Sequence, residues 1–143
     1  MTSPPPEDKD TPGLLSATPA FPVQDIERAI AFYARALSFS VVAQGPGFAI
    51  IRRGQVDLHL WLSNDERWRE RDTGSPLLSG AESFLAGTAS CRIEVSGIRD
   101  LYDACTDAGI VHPNGPLRQA DYGAMEFAVL DHEGNLITFY QMH

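Results

Sequence analysis

The chain repeats itself, and the repeat limits the folds open to it more than any other feature. The segment VQDIERAIAFYARALSF from Val23 aligns with VSGIRDLYDACTDAGIV from Val95 at a constant offset of 95 − 23 = 72, with Val, Ile and Ala recurring at equivalent places. In both copies the apolar residues fall at helical spacing: Ile26, Ala29, Ile30 and Tyr33 in the first, Ile98, Leu101, Tyr102 and Cys105 in the second. Each copy therefore predicts a helix with one buried stripe. Asp25 is placed to cap the first helix by accepting from free backbone N–H groups, and Gly109 suits the C-terminal end of the second. The stretches before the helices, Ala17 to Val23 and Ala89 to Val95, read as strands.

A second repeat follows each helix. FAIIRRGQVDLHLW from Phe48 and FAVLDHEGNLITFY from Phe127 both read as β-hairpins, whose turns at Arg53-Gly54 and Asp131 to Gly134 carry a glycine between apolar-rich arms. A strand around Phe39 to Ala43 and a weaker one near Val111 complete β-α-β-β-β twice. The expected fold class is α+β: two tandem βαβββ modules, about residues 15–62 and 89–142, forming a curved mixed-sheet cleft with the helices on the outer face. They would make one domain over 14–143. Residues 1–13 hold four of the ten prolines among charged residues, the composition of a disordered tail. Residues 63–87, with Trp68 in a charged run, read as a long linker of the kind that often serves as a lid or ligand wall.

Alternation assigns the strand faces. Val56, Leu58, Leu60 and Leu62 alternate with Gln55, Asp57, His59 and Trp61, and Ile137 and Phe139 alternate with Leu136, Thr138 and Tyr140. One face of each sheet packs under its helix, and the other lines the cleft, which is the natural ligand site. The apolar fraction of 43% supports a folded core, while a net charge of −8 argues against nucleic acid and favours a cationic ligand. No apolar run approaches a membrane span and the N-terminus lacks a secretory signal, so a cytoplasmic protein is expected. Cys91 and Cys105 form no C-x-x-C pair and read as small buried hydrophobes. P-loop, G-x-S-x-G and Rossmann motifs are absent from the sequence.

The motif PVxDIxxAIxFY at Pro22 to Tyr33, together with YGxxEFxxxDxxGN at Tyr122 to Asn135, resembles the vicinal-oxygen-chelate superfamily of glyoxalases, bleomycin-resistance proteins and dioxygenases. The second motif, with the Arg-Arg-Gly after Phe48 to Ile51, looks most like the antibiotic-binding branch. The resemblance implies that the superfamily's enzymes would place four metal ligands near Thr18, His59, Ser90 and Thr138. His59 alone is a good donor, so no metal and no cofactor is expected. Shifting the register by one brings in Arg92 or Glu94 without completing a set. His112, His132 and His143 read as ordinary surface residues.

In the bleomycin-binding relatives, Phe48 aligns with a ring that helps sandwich a planar bithiazole, and Tyr122 with an aromatic on the opposite wall; Trp61 and Trp68 extend that wall. The alternative reading makes Phe48 a buried residue at the start of a core strand and Tyr122 a loop anchor. His59 either hydrogen-bonds a ligand or simply lines a wet cleft. Asp57, Glu94 and Glu126 either give the cleft an acidic lining or belong to a solvated face. The candidate ligand-contacting set is therefore Phe48, Asp57, His59, Trp61, Arg92, Glu94 and Tyr122, with no catalytic residue. Val42, Ala43 and the long linker depart from some relatives, leaving the ligand open. The function implied is non-catalytic sequestration of a cationic, bleomycin-type glycopeptide by a homodimer with two interfacial clefts. The alternatives are a metal-dependent glyoxalase-like lyase, dioxygenase or thiol transferase, and a binding protein for another small aromatic molecule.

Overall fold

A computed structural model describes residues 12–63 and 85–143, so most of the expected tail, and most of the linker with Trp68, lie outside the described residues. The first module runs β1 (Ala20–Val23), α1 (Ile26–Leu37), β2 (Ser40–Gly45), β3 (Phe48–Arg53) and β4 (Val56–Leu62). The second runs β5 (Ser90–Glu94), α2 (Ile98–Asp107), β6 (Arg118–Ala120), β7 (Ala124–Leu130) and β8 (Leu136–Met142). Each module forms one mixed four-stranded sheet, ordered β1-β4-β3-β2 and β5-β8-β7-β6. The first strand of each lies parallel to the last, because the helix carries the chain back across the sheet, and the remaining pairs are antiparallel.

The helices form where the apolar stripe predicts. Asp25 caps α1 by accepting from the Arg28 backbone N–H at 3.0 Å, and the helix buries Ile26, Ala29, Phe32, Tyr33 and Leu37 against its sheet. At the start of α2, Gly97 has no capping side chain, and Gln141 from β8 accepts from the Ile98 N–H at 3.0 Å instead. Gly109, at φ 72°, ends α2 in the left-handed conformation glycine tolerates. The Gly109 and Ile110 N–H groups then close onto the Thr106 and Cys105 carbonyls. Both sheets contribute to one buried cluster, with Phe21, Ile51, Leu58 and Leu60 from the first and Ile93, Phe127, Ile137 and Phe139 from the second.

One expected strand is placed differently. Val111 makes a single isolated bridge to Val129, and the regular edge strand is β6, a few residues later. Residues 110–120 do follow β7, since Leu130 donates to Ile110 and His112 to Ala128, but Pro113 and Pro116 interrupt the ladder. His132 also departs from its expected surface place. It is largely buried on the β7–β8 turn, with its ring 5.2 Å from Phe32.

That turn joins the two modules. The buried Asp131 carboxylate accepts from the Tyr33 hydroxyl at 2.7 Å and from the Asn135 side chain at 2.9 Å. Asn135, fully buried, also donates to the Pro22 carbonyl and accepts from the Ala89 N–H. Burial first, and then the Asp131 charge, push the Tyr33 hydroxyl far above its ordinary pKa, keeping it a permanent donor. Cys105 is buried and Cys91 half-buried, and burial pushes both thiols up to about 11, consistent with packing roles. Among the described residues, no helix is long and apolar enough to cross a membrane.

Candidate functional site

Strand alternation determines which side chains leave the core. In β4, Leu58 and Leu60 are fully buried, which turns Asp57, His59 and Trp61 to the other face. Register sets Phe48 opposite Trp61, Ile50 opposite His59 and Arg52 opposite Asp57. The Phe48 ring stands edge-on to His59 with centroids 5.8 Å apart, and Phe48 remains 38% exposed. Arg52 grips Asp57 through two hydrogen bonds of 2.6 and 3.0 Å, and these hold the Asp57 carboxyl below the usual carboxylate range. Among the described residues, the buried Trp61 indole N–H has no hydrogen-bond partner.

The second sheet repeats the arrangement with different chemistry. Ile93 packs into the core, so Arg92 and Glu94 leave it on the opposite face; β8 likewise buries Ile137 and Phe139 and turns Tyr140 outward. Glu126, on β7 across from Tyr140, is 9% exposed and is surrounded by donors. Arg118 reaches it at 2.9 Å, the Tyr122 hydroxyl at 2.7 Å and Arg92 at 3.4 Å. The Tyr122 hydrogen bond, followed by those from the arginines, keeps the Glu126 carboxyl below its ordinary pKa despite burial. Arg92 also donates to the Tyr122 hydroxyl, and its guanidinium carbon lies 4.6 Å from the Tyr140 ring centroid and 5.2 Å from that of Tyr122. Tyr122 is 49% exposed.

The candidate residues thus fall into two groups, Phe48, Asp57, His59 and Trp61 on the first sheet and Arg92, Glu94 and Tyr122 on the second. Among the described residues, no hydrogen bond, ion pair or ring contact joins one group to the other. Sequence reading omitted Arg52, Arg118 and Tyr140 from this set. Alternation put Tyr140 on the right face and offered the signal, whereas Arg118 gave none, because β6 has no apolar alternation. The acidic lining is largely compensated: Arg52 neutralises Asp57, and Arg92 and Arg118 face Glu126. Of the positions aligned with enzyme ligands, His59 sits on β4, Ser90 on β5 and Thr138 on β8, with Thr18 before β1. Among the described residues, no three His, Cys, Asp or Glu side chains are grouped so as to hold a metal ion.

Two βαβββ modules whose strand faces carry exposed rings and paired charges define a protein of the vicinal-oxygen-chelate type, and the chain belongs to the Glyoxalase/Bleomycin resistance protein/Dioxygenase superfamily, whose family model matches residues 16–139. Within it, the chain is 48% identical over 128 residues to a bleomycin resistance protein of Geobacillus stearothermophilus, covering 90% of this chain and 97% of that one. A bleomycin resistance protein of Staphylococcus aureus (strain N315) gives the same figures. The fold is also that of a bleomycin resistance determinant encoded on the transposon Tn5, with a TM-score of 0.67 at 24% identity over 91% of this chain and 99% of that one. A bleomycin-binding protein from bleomycin-producing Streptomyces verticillus, complexed with copper(II)-bleomycin, matches at a TM-score of 0.68 and 23% identity, over 93% of this chain and 99% of that one.

Proposed function

We propose that this protein binds and sequesters a bleomycin-type glycopeptide without transforming it. The observation that carries this reading is the 48% identity to bleomycin resistance proteins over 97% of their length. The geometry agrees with it. A flat heteroaromatic gains dispersion and desolvation from ring faces, and Phe48 and Tyr122 present half-exposed rings on the strand faces away from the core. Among the described residues the buried Trp61 indole N–H has no acceptor, and His59 lies against Phe48. Because no contact joins the Phe48 and Tyr122 groups among the described residues, the complete cleft is proposed to form between the first sheet of one copy and the second sheet of another. That arrangement is a homodimer with two clefts. Holding the drug away from DNA suffices for resistance, so no metal or catalytic residue is assigned.

Titration calorimetry with metal-free bleomycin tests the reading. Saturable submicromolar binding at one ligand per chain is expected, with bleomycin recovered unchanged. Phe48→Ala and Tyr122→Ala should each weaken binding by about 1 to 3 kcal/mol in folded protein. Absence of binding, or metal-dependent turnover of the bound drug, overturns it.

A further inference from the structure

The second sheet's face already holds a flat cation of its own. Arg92 leaves β5 and lays its guanidinium 4.6 Å from the Tyr140 centroid and 5.2 Å from the Tyr122 centroid. It hydrogen-bonds Tyr122 and reaches the Glu126 carboxylate at 3.4 Å. Two ring faces and a buried carboxylate are the elements that recognise a planar cation, and Arg92 engages all three. Glu126 does not depend on this engagement for neutralisation, since Arg118 at 2.9 Å and the Tyr122 hydroxyl at 2.7 Å also serve it. With its side chain 49% exposed and extending from β5, the edge strand of its sheet, Arg92 can swing away into water without leaving a buried charge unpaired.

We infer that Tyr122, Tyr140 and Glu126 form a subsite for a planar cation, and that Arg92 is a resident occupant that competes with the ligand for it and so sets selectivity. The inference rests on the sequestration reading for the identity of the ligand, but the subsite stands on its own geometry. A ligand whose cationic or heteroaromatic group stacks on these tyrosines must first displace the guanidinium. Arg92 thereby lowers the affinity for every competing flat cation and leaves the subsite closed to weakly stacking ones.

The test compares wild type with Arg92→Ala, and with Arg92→Gln, which keeps a donor for Glu126 should the alanine variant fold poorly. Metal-free bleomycin is expected to bind both variants about three- to tenfold more tightly than wild type, the gain from removing one competing cation–π contact. Equal or weaker binding by the folded variants overturns the competition. Ethylguanidinium supplies the independent arm, followed through the ring resonances of Tyr122 and Tyr140. Saturable millimolar binding to Arg92→Ala, abolished by adding Tyr140→Leu, supports the subsite, and no binding overturns it. Should bleomycin bind neither wild type nor variants, the sequestration reading falls, and the ethylguanidinium arm alone decides the subsite.

Discussion

Among the described residues, Ser38 is the single non-glycine residue with positive φ, at 59°, where it ends α1. An L side chain there costs about 1 to 2 kcal/mol, while glycine forfeits part of that gain through its freer unfolded chain. Ser38→Gly should therefore raise stability by about 0.5 to 1 kcal/mol, read as a higher midpoint in chemical denaturation; a lower midpoint refutes the strain. The buried polar network answers in the opposite direction. Tyr33→Phe removes one of the donors to Asp131 and should cost about 1 to 2 kcal/mol, whereas Asn135→Ala strands Pro22, Ala89 and Asp131 partners together and should cost about 3. Local chemistry of this scale was readable in the sequence when the partner is near: Asp25 bonds Arg28, three residues on. The Asp-x-x-Gly-Asn pattern was readable as a turn only. Its partner hydroxyl lies 98 residues away, a distance over which no local pattern speaks.

At the scale of elements, what alternates is legible and what is polar is not. The helical stripes and the β4 and β8 faces follow their apolar periods, because burial enforces a period of two or 3.6. Strand β6, with the sequence Arg-Gln-Ala, buries too little to show a period, so the β-branched Val111 draws the prediction instead. Side-chain charge helps hold β6 in place: Arg118 on β6 and Arg92 on β5 both meet Glu126 on β7. Glu126 has a folded pKa depressed below its unfolded value, so its contribution is present above the ordinary carboxylate pKa of about 4.3 and is lost as pH falls through the folded value. Glu126→Gln is thus expected to be less stable than wild type by about 1 kcal/mol at pH 7, the gap closing in acid. Parallel denaturation curves at pH 7 and pH 3 check this; a gap that persists unchanged at pH 3 assigns the loss to packing instead.

For the whole molecule, the repeat implies a symmetry that the structure keeps in its backbone and breaks at its junctions. Tyr33 and Cys105 are equivalent by the offset 105 − 33 = 72, and Asn135 and Val56 by 135 − 56 = 79, the offset that relates Phe127 to Phe48. One junction carries the Tyr33–Asp131–Asn135 network; the other has a cleft of about 680 Å³ bordered by Arg53, Val56, Asp100 and Leu101. The repeat made the two modules legible, but not how their faces meet, because the contacts between modules involve residues where the copies differ. The same separation of faces yields the sharpest test of the proposed dimer. If each cleft joins the Phe48 face of one copy to the Tyr122 face of the other, both Phe48→Ala and Tyr122→Ala homodimers contain only damaged clefts. A mixed dimer then has one cleft with both defects and one with neither. Refolding the two variants together from denaturant should restore high-affinity bleomycin binding in the mixed species, at half the wild-type number of sites per chain. Calorimetry on the isolated mixed dimer, with chromatographic mass to count subunits, reads both quantities. Restoration can occur only if the two rings act across copies, and its absence in a verified mixed dimer would place both rings in a site within one chain.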